Sequence, residues 1–210
     1  MGPRALSLTA GAALVAGALC SGCGAVPHPA SHPNANTVTD RALATLVREA
    51  RPIGHAPRFH PAARGPLIGA CRRRLGARYG VHVELFAADR VVLLASGIGT
   101  RPPRRRSEGR ITSAGCYGAL ATLEPTGVVL VSPGTALTLS AVFRSWGQPL
   151  SAHRLASFRT APGHPLEVFL DGHRWVGAPG AVPLRRHAEI VVEAGPHVPP
   201  HSHYTFPPGT

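Results

Sequence analysis

The chain has 210 residues, of which 22 are basic and 10 are acidic, and its formal net charge is +12. All of the basic residues are arginines, which excludes chemistry that needs a lysine, such as a P-loop phosphate site or a Schiff base. Glycine and proline are abundant, with 24 and 22 residues, and this composition favours short strands and turns over long helices.

The first 23 residues are typical of an export signal. Arg4 precedes an apolar run of about 15 residues that ends in Cys20-Ser21-Gly22-Cys23. This run is shorter than the roughly 20 residues that a membrane-spanning helix needs. Its ending resembles the bacterial lipobox, although Cys20 stands where that motif usually has leucine. We therefore predict that Cys23 is lipidated and attaches the protein to the outer face of the bacterial cell membrane, with secretion or an uncleaved anchor as the alternatives.

Composition divides the rest of the chain into four parts. Residues 24–39 contain few large apolar groups and are predicted to form a flexible tether. A short helix and a proline-rich arm follow over 40–69. Residues 70–196 are predicted to form one globular domain, because the roughly 140 residues after the arm suffice for one hydrophobic core. The last part, 197–210, is a tail rich in proline and histidine.

Two cysteines, Cys71 and Cys116, remain once Cys20 and Cys23 are assigned to the export segment. An even pair in an exported chain is typical of a disulfide. A redox or metal-thiolate site would need a second cysteine or a histidine at ligand spacing, which neither cysteine has. The sequence therefore predicts one structural bridge between positions 71 and 116.

Apolar periodicity and turn residues predict three hairpins, one helix and one final strand. In chain order these are a hairpin at 81–94, a hairpin at 118–131, a helix at 139–146, a hairpin at 166–176 and a strand at 188–193. This order indicates an α+β, mostly β fold. We expect a β-grasp-like sheet with one crossing helix over 116–193, and the hairpin at 81–94 added at one edge. The alternative is an all-β sandwich.

The chain resembles an uncharacterised family of exported bacterial proteins common in actinobacteria, in blocks that keep their order and spacing. These blocks are 86–99, Cys116-Tyr117, 125–129, 139–147, Val168-Phe-Leu-Asp-Gly172, 187–190 and Tyr204-Thr-Phe-Pro-Pro-Gly209. The resemblance extends from about Cys71 to the C-terminus and implies export and architecture, but no activity. Related sequences often carry a Leu-His-Thr-His-Asp block. This chain has Leu120-Ala121-Thr122-Leu123-Glu124 at that place, so any metal or acid-base site built from those histidines is missing here.

Twelve histidines raise the hypothesis of a metal site. His197, His201 and His203 lie close together in the tail and could share a zinc or copper ion, although a solvated proline-histidine segment is the simpler interpretation. His82 and His187 lie in or beside strands and are expected to be hydrogen-bonded structural residues. The glutamates on the predicted strands are expected to be ordinary outward-facing charges: Glu84, Glu167, Glu189 and Glu193.

Arginine runs occur at 72–74, at Arg101 with Arg104, Arg105 and Arg106, and at 185–186. Guanidinium groups pair well with phosphate, and an exported protein meets anionic lipid and phosphate-bearing wall polymers. Arg101 and Arg104–Arg106 are therefore candidates for anion binding, while a solvated charged loop is the simpler reading. Nucleic acid is not an expected partner, because an exported protein is separated from the nucleic acid of the cell and because the chain has few aromatic residues for stacking on bases.

No nucleophile-elbow or zinc-protease motif occurs in the sequence, and no cofactor is predicted. We expect a non-catalytic, exported envelope lipoprotein whose arginine-rich surface contacts anionic envelope components. The alternative is an extracytoplasmic protein that binds copper or zinc through its C-terminal histidines. A hydrolase without a familiar motif is the third hypothesis.

Overall fold

The computed structural model describes residues 63–88 and 90–210, together with Thr45 and Arg48, which are both helical. The predicted export signal, lipidation site, tether and most of the arm lie outside the described residues. Within the described residues, no helix combines the length and the apolar character needed to cross a membrane.

Seven strands form a mixed central sheet: β1 (Tyr79–Ala87), β2 (Arg90–Val91), β5 (Leu120–Ala121), β6 (Val128–Val131), β10 (Glu167–Leu170), β11 (His173–Arg174) and β12 (Glu189–Ala194). Their order across the sheet is β11-β10-β12-β1-β6-β5, and β2 pairs with β1 beside this path. Two smaller sheets consist of β3 (Thr100–Ser107) with β4 (Arg110–Tyr117), and of β7 (Leu150–Ser151), β8 (Arg154–Leu155) and β9 (Phe158–Arg159). The helix α1 is Leu139–Trp146, and a 3-10 turn follows at Pro179–Ala181.

The strand order β6-β1-β12-β10-β11 is that of a β-grasp-like sheet. Its first and last strands, β1 and β12, are parallel neighbours at the centre, and α1 connects β6 to the second half. The predicted α+β, mostly β fold is therefore confirmed. The placement of the 81–94 hairpin differs from the prediction, because β1 lies at the centre of the sheet and not at its edge. Alternating polar residues in β1 suggested a strand with one solvated face, but both faces of β1 are covered.

The helix α1 packs its apolar side on the sheet. Leu139, Val142, Phe143 and Trp146 are buried and share one hydrophobic core with the strands. Gly147 ends the helix in the left-handed conformation, with φ 81°, which favours glycine at this position. The helix bounds predicted from the 3.6-residue period agree with the structure.

The hairpin of β3 and β4 was not predicted. Its strand β3 contains four arginines and two prolines, a composition that is typical of a loop. The two strands nevertheless pair through a tight turn in which Glu108 and Gly109 both have positive φ. Apolar residues beneath the hairpin form a second small core, which includes Ile111, Tyr117 and Leu123.

The predicted disulfide is present between Cys71 and Cys116, whose Cα atoms are 5.4 Å apart. Cys116 lies near the end of β4, and the residue after each cysteine pairs with the other through the backbone, Arg72 with Tyr117. The bridge thus attaches the segment before β1 to the arginine-rich hairpin.

We predict that replacing both cysteines, Cys71→Ser with Cys116→Ser, lowers the free energy of unfolding by about 4 kcal/mol, because the bridge restricts a long loop of the unfolded chain. The cysteines are 45 positions apart. Urea denaturation of the oxidised protein and of the variant measures the difference, and reduction of the wild type should reproduce the loss. Free thiols at both positions in folded protein would contradict the prediction.

Candidate functional site

One face of the central sheet carries several ionisable side chains. The residues that alternate with them in β1, β10 and β12 belong to the apolar core shared with α1, so the ionisable side chains point to the other face. We call this surface the carboxylate face and define it by five residues: His82, Glu84, Glu167, Glu189 and Glu193. It contains four of the ten acidic residues of the chain.

The C-terminal tail lies across the carboxylate face. The ring of Tyr204 stacks on His82 with 3.8 Å between centroids, and Phe206 packs near His187 at 4.8 Å. His187 also contacts the carbonyl oxygen of Thr210 through Nε2 at 2.7 Å. The tail is thus packed on the domain rather than being the solvated segment that its prolines suggested.

This cover buries glutamates that were expected to face solvent. Glu189 and Glu193 are each only 1% exposed, so the expectation of ordinary outward charges is wrong for these two residues. The alternation along the strands correctly predicted that these glutamates lie on the face opposite the apolar core. It could not show that the C-terminal tail covers that face. Burial of a carboxylate is costly unless a positive charge or hydrogen bonds compensate it.

His82 is held between two acceptors. Its Nε2 lies 3.0 Å from the carbonyl oxygen of Thr126, which can only accept a hydrogen bond, so Nε2 carries a proton. Its Nδ1 lies 2.8 and 3.0 Å from the two carboxylate oxygens of Glu189. If Nδ1 carries no proton, it directs a lone pair at this carboxylate. A proton, bound to Nδ1 or to Glu189, or a metal ion is therefore required between the two groups.

Glu84 and His201 complete this corner of the carboxylate face. The ligand atoms of His82, Glu84 and Glu189 all lie within 4.8 Å of one another. From the tail, Nδ1 of His201 approaches Oε2 of Glu84 at 2.8 Å. The hydrogen bond to Glu84 and the negative charges of Glu84 and Glu189 raise the pKa of His201. We call His82, Glu84, Glu189 and His201 the histidine-glutamate cluster.

A second group on the same face consists of Glu167, Glu193 and His197. Glu167 and Glu193 are direct cross-strand partners, an arrangement in which two like charges repel each other. Nδ1 of His197 lies 2.9 Å from Oε2 of Glu193 and 3.6 Å from Oε2 of Glu167, and Arg174 donates to Oε1 of Glu167 at 2.9 Å. Among the described residues, nothing donates to the buried Oε1 of Glu193.

The electrostatic environment beneath the tail is negative. The pKa of Tyr204 is raised, first by burial and then by the negative charges of Glu124, Glu189 and Glu84. Such a site favours a cation over an anion.

The three histidines proposed for one shared ion do not meet one another. His197 and His201 approach different pairs of carboxylates, and His203 contacts the hydroxyl of Ser202 at 3.2 Å. The sequence thus identified two of the tail histidines that reach the face but not their partners. Only the alternation of glutamate with valine and isoleucine in β12, together with the aromatic residues of the tail, could have suggested the carboxylates.

The hairpin arginines proposed for anion binding have different surroundings. Arg104 donates to the hydroxyl and the carbonyl oxygen of Thr100 at 2.7 and 2.8 Å, and its pKa is lowered by burial and by the charges of Arg106 and Arg101. Arg106 donates to the hydroxyl of Ser96 at 2.9 Å. Arg101 and Arg105 are exposed. Anion binding by this hairpin stays a prediction, and Arg101 and Arg105 are the members best placed for it.

Comparison of the chain with family models, with curated proteins and with solved structures gave no match. The resemblance to exported actinobacterial proteins therefore stays a prediction. At the block where that resemblance would place two histidines, Ala121 and Leu123 are buried in the second small core.

We predict that Glu84→Gln lowers the pKa of His201 towards its ordinary value of 6.5, because the substitution removes the carboxylate whose hydrogen bond and negative charge raise that pKa. A raised pKa means that the His201–Glu84 contact stabilises the fold fully below pH 6.5, and that this contribution is lost as the pH rises through the raised value. Imidazole shifts followed by NMR in the presence of a chelator measure the effect. Glu108→Gln, which removes an exposed carboxylate from the β3–β4 turn, is the matched control and should leave the His201 titration unchanged.

Proposed function

We propose that this chain is a non-catalytic extracytoplasmic protein that binds a divalent transition metal ion, zinc or copper, in the histidine-glutamate cluster. The observation that carries the proposal is the position of Nδ1 of His82. This atom faces a buried carboxylate, Glu189, while the other ring nitrogen donates to the carbonyl oxygen of Thr126. A metal ion bound by Nδ1 and by Glu189 would occupy the place between these two groups that otherwise holds a proton.

The orientation of His82 matches that of metal-bound histidines. Such residues usually donate their second ring N–H to a carboxylate or a backbone carbonyl, which fixes the ring and the tautomer. Here the carbonyl of Thr126 accepts that hydrogen bond at 3.0 Å. Glu84 and Glu189 offer oxygen ligands beside Nδ1, within the 4.8 Å that joins all three ligand atoms.

The donor set favours zinc or copper over calcium or magnesium. The ligand atoms within 4.8 Å of one another are one imidazole nitrogen and two carboxylate oxygens, and the imidazole of His201 adjoins them through Glu84. Calcium and magnesium prefer oxygen ligands alone. A shift of His201 from Glu84 onto the ion would make it the fourth ligand and would close a tetrahedral site. Structural zinc sites are closed in this way, while catalytic ones keep a position open for water. This supports a holding or stabilising role rather than catalysis.

The tail covers such a site and would respond to it. Tyr204 lies flat on the ring of His82, and His201 reaches Glu84 from the same segment. Because the tail contributes a ligand, metal binding and tail docking are coupled. Metal binding also competes with protons for both histidines, so the affinity should rise with pH between about 5 and 8.

We predict that the full chain, after treatment with a chelator, binds zinc with one tight equivalent in isothermal titration calorimetry. Glu189→Gln and His201→Ala should each weaken this binding by about a hundredfold or more, because each removes a ligand of the histidine-glutamate cluster. Zinc at a hundred times its Kd should stabilise the wild type by about 2.7 kcal/mol in chemical denaturation.

The matched control for His201→Ala is His203→Ala. It removes a histidine from the same tail, two positions away, whose ring contacts only a neighbouring serine hydroxyl in the described residues. Equal losses in the two variants would indicate loose binding along the tail. A loss confined to His197→Ala would place the ion at Glu167 and Glu193, and an unaffected Glu189→Gln would contradict the proposed centre.

We also propose that the domain is held at the outer face of the cell membrane by a lipid on Cys23. The support is the Ser21-Gly22-Cys23 ending of the apolar run and a disulfide of the kind that exported proteins form. A diacylated residue anchors a protein stably, whereas a single acyl chain does not.

We predict that Cys23→Ser, expressed in a bacterium with lipoprotein processing, moves the protein from the membrane fraction to the soluble exported fraction. Cell fractionation and the mass of the mature N-terminus measure this change. Cys20→Ser is the control and should stay with the membrane. Membrane association of the Cys23→Ser product would contradict lipid attachment at this residue.

A further inference from the structure

Two cavities adjoin on a part of the surface that shares no residue with the histidine-glutamate cluster. The first has a volume of about 620 Å³ and the second about 570 Å³, and both are lined by Pro133 and Thr135. Because they share these residues, the two cavities are adjacent, and we describe them together as one groove. Each is within the size range of ligand-binding pockets. We call this surface the arginine groove.

Arginines lie at both ends of the arginine groove. Arg72, Arg73 and Arg74 line the first cavity, and Arg185 and Arg186 line the second. Among the described residues, no carboxylate lines either cavity. The groove therefore presents two separate basic ends to a ligand, and guanidinium groups of this kind bind phosphate through paired hydrogen bonds.

The two basic ends differ in how their side chains are held. All five arginines are exposed. Arg186 lies over the ring of Tyr79 at 5.3 Å, and Arg185 approaches Asp171 at 3.5 Å. Asp171 partly compensates the charge of Arg185, whereas Arg186 contacts an uncharged ring. The second end therefore keeps a positive charge.

A buried arginine adds positive charge behind the first end. Arg78 is 7% exposed and donates to the carbonyl oxygens of Leu75 and Gly118, at 2.9 and 2.8 Å. Its remaining terminal nitrogen is buried and has no partner among the described residues. Burial and the charge of Arg72 lower the pKa of Arg78. In the part of the chain that the structure describes, no carboxylate pairs with this guanidinium, so its charge adds to that of the groove.

The middle of the groove is not charged. The two cavities meet at the uncharged residues Pro133 and Thr135, and apart from the arginines both are lined by uncharged residues, such as Leu75, Ser132 and Leu137. This alternation of basic, neutral and basic surface complements a ligand that carries anionic groups separated by neutral spacers.

We propose that the arginine groove binds a phosphodiester polymer with neutral polyol spacers, of the kind that a bacterial envelope exposes. Two phosphates of one polymer chain would contact the two basic ends, and the spacer would lie across the neutral middle. Binding at both ends makes the second contact intramolecular, which raises the affinity for a polymer far above that for one phosphate.

A membrane surface fits the groove less well than a polymer does. Among the described residues, the one exposed large apolar side chain is Val176, at 92%, and it does not line the groove. Within the described ranges, no exposed large apolar side chain is therefore available beside the groove to insert into a bilayer. The charge pattern alone would attract lipid headgroups, and the test below separates the two sources of phosphate.

The experiment uses the full chain and three probes: a poly(glycerol phosphate) oligomer, inorganic phosphate, and vesicles that contain phosphatidylglycerol. At about 0.15 M salt the oligomer should bind about a hundredfold or more tighter than inorganic phosphate, because it engages both ends. Arg73→Glu with Arg74→Glu, and separately Arg185→Glu with Arg186→Glu, should each weaken oligomer binding at least about tenfold. Each pair should also reduce the dependence of binding on salt concentration.

The matched control is Arg144→Glu with Arg159→Glu, two exposed arginines outside both the groove and the β3–β4 hairpin. This pair changes the net charge of the protein by the same amount, and oligomer binding should be retained. A hairpin variant, Arg101→Glu with Arg105→Glu, tests the competing anion site. Thermal unfolding of all four variants confirms that each is folded.

Several results would overturn the proposal. Equal losses in the groove variants and the matched control would show a response to overall charge, and a loss in the hairpin variant alone would place the anion site there. Groove-dependent binding to vesicles without binding to the oligomer would make the ligand a lipid surface. Oligomer binding no tighter than that of inorganic phosphate would exclude engagement of both ends. Zinc titration is independent of all these outcomes, because the two sites share no residue.

Discussion

The buried negative charge of β12 is the constraint on which this structure depends. Glu189 and Glu193 lie on the central strand pair of the sheet, and each is 1% exposed. Burying an ionised carboxylate costs several kcal/mol unless a positive partner or hydrogen bonds are close, so the groups around these two glutamates decide whether the sheet is stable. The chain supplies His82 from the neighbouring strand and His197 from the tail. The fold thus places imidazoles against the buried carboxylates at the positions where a metal ion would find ligands.

This constraint explains the position of the C-terminal tail. A segment rich in proline and histidine has little tendency to fold alone, yet here it supplies imidazoles to the carboxylates and aromatic rings to cover them. The tail and the carboxylate face therefore stabilise each other. The proposed metal centre takes ligands from both, which links occupancy of the site to docking of the tail.

Charge is separated over the described part of the chain. Negative groups collect on the carboxylate face beneath the tail, while exposed arginines line a groove that contains no carboxylate. A chain with a net charge of +12 could have paired its acids with its arginines across the surface. Instead, histidines provide three of the contacts to acids on the carboxylate face, from His82, His197 and His201, which leaves most arginines of the groove available to an outside anion.

The sequence by itself determined the local elements and the covalent bridge. Apolar residues at helical spacing predicted α1, and the Asp171-Gly172 turn predicted the hairpin of β10 and β11, because each of these signals lies within a few residues of the chain. The Cys71–Cys116 bridge followed from the number of cysteines left outside the export segment. The tertiary structure alone decided that β1 is central, that Glu189 is buried, and that His201 meets Glu84 across 117 positions of chain. Such contacts depend on which strands pair and on which segment covers the second face of the sheet. No local pattern encodes that choice, since an alternating strand looks the same whether water or a distant tail covers its polar side.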